Sequence, residues 1–132
     1  MSDANPALFT FVKLTVSDID AATRFFVEGF GMTHSDTVDT PQFREHMLTG
    51  KKGSATIVLF HWKDGRAVDI GTGYGPIGMI TRDLEADLAR ALAAGATQKG
   101  ETTSFGAARI AFVKTPSGHE IEMMQPGARP AG

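Results

Sequence analysis

Several features are missing from this 132-residue sequence, and each absence excludes a class of function. There is no cysteine, which excludes disulfides, thiolate zinc sites and a cysteine nucleophile. The formal net charge is -2 and no basic cluster is visible, so a nucleic-acid partner is not expected. No segment approaches the roughly 18 apolar residues of a membrane helix. The N-terminal stretch MSDANPALF also lacks the basic and then apolar pattern of a secretory leader. We therefore expect a cytoplasmic protein with no membrane partner.

The composition that remains is ordinary for a compact soluble domain. Hydrophobic residues make up 42% of the chain and charged residues 21%. A chain of this length can bury a substantial core without covalent cross-links. We predict a single domain over residues 7–126, followed by a flexible tail at 127–132.

The same order of elements occurs twice along the chain. A strand pattern at 7–16 leads into a helix capped by Asp18, and a strand pattern at 74–81 leads into a helix capped by Asp83. Each helix is followed by three further strand patterns, at 32–38, 43–49 and 55–62 in the first half and at 97–103, 108–114 and 119–125 in the second.

This duplication predicts an α+β fold built from two tandem βαβββ modules. We place module one at 7–64, a linker at 65–73 and module two at 74–126. Four-stranded units of this kind curl, with their helices outside and alternate strand residues facing inwards. Two such units form a concave cup, which is a usual location for a small ligand.

Three segments carry a resemblance to a known superfamily: VKLTVSDIDAATRFF, PIGMITRDLEADLARALAAGA and IAFVKTPSGHEIEMM. Together with the duplication, they resemble the vicinal oxygen chelate superfamily, which includes glyoxalase I, extradiol dioxygenases, fosfomycin-modifying enzymes and bleomycin-resistance proteins. The resemblance extends over nearly all of residues 8–126. It implies the glyoxalase/bleomycin resistance/dioxygenase fold, a curled mixed sheet forming a cup, and a homodimer. It does not fix the chemistry, because this scaffold hosts several reactions as well as plain binding.

The enzymes of that superfamily hold a divalent metal with up to four His, Gln or Glu side chains. Transferred by the resemblance, the four ligand positions of this chain are Phe11, Val58, Pro76 and Glu122. Phenylalanine, valine and proline cannot donate to a metal, and a lone carboxylate cannot hold a transition ion against water. The sequence therefore predicts no metal and no other cofactor, with Glu122 the only retained ligand position.

The alternation of strand residues predicts which side chains line the cup. The predicted ligand-binding residues are Phe11, Thr15, Met47, Val58, Phe60, Trp62, Pro76, Gly78, Ile80, Phe112 and Met124. The hypothetical catalytic residues are Glu122, Lys13 and Glu45. Glu122 is expected to pair with Lys13 or to meet a polar group of the ligand. The four histidines lie off the cup face or in turns and are assigned no chemistry.

Three functions remain open at this point. The first is a metal-free protein that binds a small, largely apolar or aromatic molecule in the cup, and the sequence favours it. The second is a metal-independent lyase or isomerase with Glu122 as general acid or base. The third is a divergent metal-dependent lyase of the glyoxalase I type, or a dioxygenase. Whether the protein is an enzyme is thus undecided by the sequence.

Overall fold

The structure is a computed structural model and describes residues 6–127, which form two successive modules with the same order of elements. Module one consists of β1 (Phe11–Thr15), α1 (Ile19–Phe30), β2 (Thr33–Asp39), β3 (Phe43–Thr49) and β4 (Thr56–Trp62). Module two consists of β5 (Ile77–Ile80), α2 (Leu84–Ala93), β6 (Thr97–Phe105), β7 (Ala108–Lys114) and β8 (Glu120–Gln125). The predicted α+β fold is confirmed. Most of the predicted flexible tail, residues 128–132, lies outside the described residues.

Each module contributes its own four-stranded mixed sheet. The strand orders are β1-β4-β3-β2 and β5-β8-β7-β6, with β1 parallel to β4 and β5 parallel to β8. The sheets share no strand pairing within residues 6–127, and the modules contact each other chiefly through α1 and α2. Strands β1 and β5 are therefore free edges, at which a further strand can be added.

The two helices begin where the sequence predicts. The Asp18 carboxylate accepts a hydrogen bond from the Ala21 amide at 3.0 Å, and Asp83 accepts the equivalent bond from Ala86 at 3.1 Å. The first helix is capped at its C-terminus by Gly31, whose φ of 67° is the left-handed conformation favoured by glycine.

Gly29 lies inside α1 at the contact between the modules. A Cβ at Gly29 would come within 3.2 Å of the Ala94 Cβ. The missing side chain thus lets the two helices approach closely. Arg90 of α2 reinforces this contact, because its Nε donates a 2.7 Å hydrogen bond to the Glu28 carbonyl at the end of α1.

The hydrophobic core lies between the helices and the convex faces of the two sheets. Its side chains come from the apolar helix faces and from alternate strand positions. The largest fully buried members are Phe25, Phe26, Leu48, Leu59, Leu84, Ile121, Met123, Val16 and Val113. The strand side chains that point away from this core therefore form the concave face of each sheet.

His46 of β3 is buried on the convex side against α1. The Arg44 Nε donates to its Nε2 at 3.0 Å, so the proton of the neutral ring is on Nδ1. That Nδ1 lies 2.7 Å from the Thr23 hydroxyl, which itself donates to the Ile19 carbonyl. The ring of His34 stacks on His46 with centroids 4.0 Å apart. Every contact of His46 therefore suits the neutral ring.

We expect the stability of the fold to decrease below about pH 6.5 through His46. Burial lowers the pKa of His46 from 6.5, with further lowering from His34 and Arg44 and an opposing effect of Asp20. The His46 ring therefore binds a proton more readily in the unfolded chain than in the folded protein. Its contribution to the free energy of unfolding is present at neutral pH and is lost as the pH falls. Urea unfolding at about pH 7 and about pH 5 should show a smaller pH dependence for His46→Gln than for the wild type. An equal pH dependence in both proteins would contradict this account.

Candidate functional site

The concave face of module one carries the alternate residues of β1, β3 and β4 that point away from α1. In the register of these strands, Lys13 lies opposite Val58, and Val58 lies opposite Met47. The neighbouring row joins Thr15, Phe60 and Glu45. The predicted side-chain alternation is therefore reproduced by the strand pairing.

An aromatic cluster of Phe43, Phe60 and Trp62 covers one end of this face. The Phe43 and Phe60 rings stack with centroids 5.1 Å apart, and Trp62 meets Phe60 edge-on at 4.7 Å. Two cations border the cluster: the Lys13 Nζ lies 5.3 Å from the Phe60 ring centre, and the Arg66 guanidinium lies 4.0 Å from that of Trp62.

Lys13 pairs with Glu45 and not with Glu122, so a polar group of the ligand is the alternative that stays a prediction for Glu122. The Lys13 Nζ lies 2.5 Å from the Glu45 Oε2. Glu45 is only 7% exposed, and its Oε2 has no partner with hydrogen-bond geometry. Lys13 and Glu45 lie on neighbouring rows of the same sheet, whereas Glu122 lies on the sheet of module two. Proximity across the strands therefore favours the pair with Glu45. The sequence offered both carboxylates as candidates and could not measure their distances from Lys13.

Glu122 occupies the centre of the concave face of module two. It lies between Gly78 on β5 and Phe112 on β7 in the strand register, and its side chain is half-buried. No atom lies within 4 Å of a Cβ placed at Gly78, so the space beside Glu122 is open. Among residues 6–127 Glu122 forms no ion pair, whereas Glu120 two residues earlier pairs with Lys99 at 2.7 Å. Glu122 is thus the concave-face carboxylate available to a ligand on module two.

The predicted ligand-binding residues are divided between the two modules. Phe11 and Ile80 are 52% and 66% exposed, whereas Val58 and Phe60 are buried by their neighbours. Thr15, Met47, Trp62, Phe112 and Met124 are half-buried, while Pro76 and Gly78 are exposed. Their contact with a ligand stays a prediction. The two concave faces belong to separate four-stranded sheets, one from each module.

The histidines do not supply the missing metal ligands. His46 faces α1, and His61 is half-buried with its Nδ1 3.1 Å from the Val16 carbonyl oxygen. His119 is 5% exposed, and burial lowers its pKa from 6.5. His34 lies exposed on β2 and hydrogen-bonds Thr37. None of these rings is on a concave face.

A cleft that the sequence did not predict lies between the modules, and the predicted ligand-binding residues Pro76, Gly78 and Ile80 are part of its lining. Its volume is about 790 Å³, and its apolar wall includes Phe30, Met32 and Met79. The basic residues Lys51, Lys52 and Arg90 also line it. Since it depends on how the modules meet, no local sequence pattern could have indicated it.

Comparison with known proteins identifies the family. A family model described as the Glyoxalase/Bleomycin resistance protein/Dioxygenase superfamily matches residues 8–123. The chain belongs to this superfamily. The recognition made from the sequence is therefore confirmed.

Curated relatives carry the name of one enzyme. The chain is 30% identical over 128 residues to a putative lactoylglutathione lyase of Brassica oleracea, covering 92% of this chain but 45% of the relative. It is 29% identical to a probable lactoylglutathione lyase of Vibrio parahaemolyticus, covering 90% and 91% of the two chains. The chain thus spans about half the length of the plant relative and nearly all of the bacterial one.

Solved structures confirm the fold. A glyoxalase family protein from Bacillus cereus superposes with a TM-score of 0.83 at 17% identity, covering 97% of this chain and 99% of that one. Glyoxalase I from Zea mays gives a TM-score of 0.80 at 23% identity, covering 92% of this chain and 46% of that one. In addition, neither helix of the described chain has the length and apolar character needed to span a bilayer.

These relatives overturn two predictions. A metal-free binding protein was the favoured function, but the relatives are named as lyases. The prediction of no cofactor is also wrong for the family, because the lactoylglutathione lyases are divalent-metal enzymes. Similarity along nearly the whole chain thus outweighs the loss of individual ligand positions.

The residues at the four positions transferred from the resemblance nevertheless do not fit a metal. Phe11, Val58 and Pro76 offer no donor atom, and only Glu122 does. Within residues 6–127, no three His, Asp or Glu side chains are grouped closely enough to hold an ion. We therefore derive no catalytic step through a metal from these positions.

Proposed function

We propose that the protein is a divergent lyase of the glyoxalase I type, which acts on lactoylglutathione or a related small thioester. The similarity to two lactoylglutathione lyases over at least 90% of the chain carries this proposal. The carboxylate of Glu122 supports it, because proton transfer at a carbon requires a positioned base and Glu122 faces open space.

In this proposal each module contributes one part of the chemistry. Glu122 of module two removes the proton from the hydroxyl-bearing carbon of the lactoyl unit and returns it to the neighbouring thioester carbon, from which the thiol can then leave. Lys13 of module one places a positive charge where negative charge develops on the neighbouring oxygen. Glu45 holds the Lys13 ammonium at 2.5 Å and is the positioning residue of the pair.

The proposal includes a homodimer whose sites combine two chains. Each concave face is half of a cup, and the faces of one chain lie on separate sheets. The free edges of β1 and β5 carry Phe11 and Ile80, both largely exposed apolar side chains. Joining β1 of one chain to β5 of its partner would cover these side chains and complete two equivalent sites, as twofold symmetry allows. A cytoplasmic location remains part of the proposal.

The first test is a turnover assay on the purified protein. Loss or formation of the lactoylglutathione thioester is followed by its ultraviolet absorbance, after chelation and after addition of Mg²⁺, Mn²⁺, Ni²⁺ or Zn²⁺ in turn. We expect saturable turnover under at least one of these conditions. The absence of turnover above the uncatalysed rate under all of them would refute the proposed substrate.

A further inference from the structure

The concave face of module two carries a positively charged side chain close to Glu122. In the strand register, Phe112 of β7 lies opposite Glu122 of β8. Lys114 follows Phe112 by two residues and therefore points to the same face, as a diagonal neighbour of Glu122 at about 7–8 Å. We propose that Lys114 binds the glycine carboxylate of the glutathionyl group and so fixes the direction in which the substrate lies across this sheet. The inference rests on the proposed function, because it concerns substrate recognition at the same site.

The first argument is that the Lys114 ammonium is available to a ligand. Its side chain is exposed, and it forms no ion pair within residues 6–127. Glu120, the carboxylate directly across from it in the register, is instead bound by Lys99 at 2.7 Å. Of these two lysines, Lys114 is therefore the one left to bind an anionic group of the substrate.

The second argument is the charge at the centre of this face. The Glu122 side chain is half-buried and forms no ion pair in the same range of residues, so by itself it would repel an anionic substrate. A cation on the neighbouring strand offsets this repulsion for a substrate whose own negative charge lies on the Lys114 side. Such a substrate can bind without a net penalty while its reacting carbon approaches Glu122.

The third argument is the length of the thiol half of the substrate. In an extended glutathionyl group, the glycine carboxylate lies about 8 Å from the thioester carbon, one cysteine side chain and one residue away. This length matches the diagonal separation on the sheet, and the flexible stem of Lys114 accommodates the remaining difference. The γ-glutamyl carboxylate is farther from the sulfur and adjoins its own ammonium. The glycine carboxylate is therefore the better partner for Lys114.

The fourth argument gives the orientation of the substrate. The strand order β5-β8-β7-β6 places Gly78 on one side of Glu122 and Lys114 on the other. No atom lies within 4 Å of a Cβ placed at Gly78, so the side of β5 has room for the lactoyl group. A substrate with its thiol half over Phe112 and its carboxylate at Lys114 then presents its reacting carbon to Glu122.

The test measures the binding of two unreactive probes to the purified wild type by isothermal titration calorimetry. The probes are S-methylglutathione and its glycine ethyl ester, which is the same peptide without the charge of the glycine carboxylate. We expect S-methylglutathione to bind about fivefold more tightly than the ester, the upper range for an ion pair exposed to solvent. Equal affinities, or no binding of either probe, would overturn the inference.

Three variants assign the preference to Lys114. Lys114→Gln should bind both probes equally, whereas Lys114→Arg should keep the preference because the positive charge is retained. Arg82→Gln is the matched control, since it removes an exposed positive charge elsewhere on module two and should also keep the preference. Both side chains are exposed, so these variants should fold. Retention of the preference in Lys114→Gln, or its loss in Arg82→Gln, would contradict the assignment.

Turnover separates this inference from the proposed reaction. With lactoylglutathione, Lys114→Gln should raise KM about fivefold and leave kcat unchanged, because the glycine carboxylate is bound equally in the substrate and in the transition state. An unchanged KM would remove the role of Lys114 and leave the reaction standing. No turnover by the wild type, together with a probe preference that depends on Lys114, would remove the reaction and leave the carboxylate site standing.

Discussion

Replacing Glu122 with glutamine is expected to reduce turnover of lactoylglutathione by about 10²–10⁴-fold, the usual contribution of a general acid or base. Glutamine preserves the shape of the side chain but cannot take up the proton. The loss should appear in kcat more than in KM, because the group acts on the proton during the reaction and not on the bound substrate. Thermal unfolding should be unchanged, since Glu122 forms no ion pair within residues 6–127.

Glu120→Gln provides the matched control. Glu120 lies on the same strand and the same face, and its carboxylate is bound by Lys99 at 2.7 Å. The hydrogen bond from Lys99 lowers the pKa of Glu120, so it is held as an anion. This variant should keep nearly full turnover. Equal losses in the two variants would mean that charge on this face, and not proton transfer by Glu122, sets the rate.

Mixing two inactive variants is expected to restore turnover. Lys13→Gln removes the positive charge that module one supplies to the site, and Glu122→Gln removes the proton-transferring carboxylate that module two supplies. In a dimer whose sites join two chains, each mixed dimer has one site with both residues intact. Random reassociation then gives about a quarter of the wild-type activity. The experiment requires the variants to be unfolded and refolded together, with separately refolded samples as controls.

The absence of recovery after verified exchange of chains would contradict a shared site. It would place Lys13 and Glu122 of one chain at the same site, contrary to their positions on separate sheets. Sedimentation of the wild type provides a further check, since a monomer at micromolar concentration would remove the dimer altogether.

The architecture could be predicted from sequence because its signals are local and repeated. Asp18 and Asp83 each precede an apolar helical pattern, and the observed caps are at these residues. The boundaries of β3 and β7 coincide with the predicted 43–49 and 108–114. Strand alternation then fixed which side of each strand is concave, because side chains alternate with a period of two.

The site was predicted less completely because it depends on distances between strands and modules. Lys13 was expected near Glu122, but the register of β1, β4 and β3 brings it to Glu45. The burial of His46 against α1 likewise depends on the packing of the helix on the sheet. The free edges of β1 and β5 likewise become apparent only from the sheet topology.

The most direct measurement is the steady-state rate of lactoylglutathione turnover by the wild type and by Glu122→Gln, assayed side by side with each divalent ion. The account predicts saturable turnover by the wild type and a loss of about 10²–10⁴-fold in the variant under the same ion. Identical rates in the two proteins, or no turnover by either with any ion, would contradict the assignment of Glu122 as the proton-transferring group of a glyoxalase-type lyase.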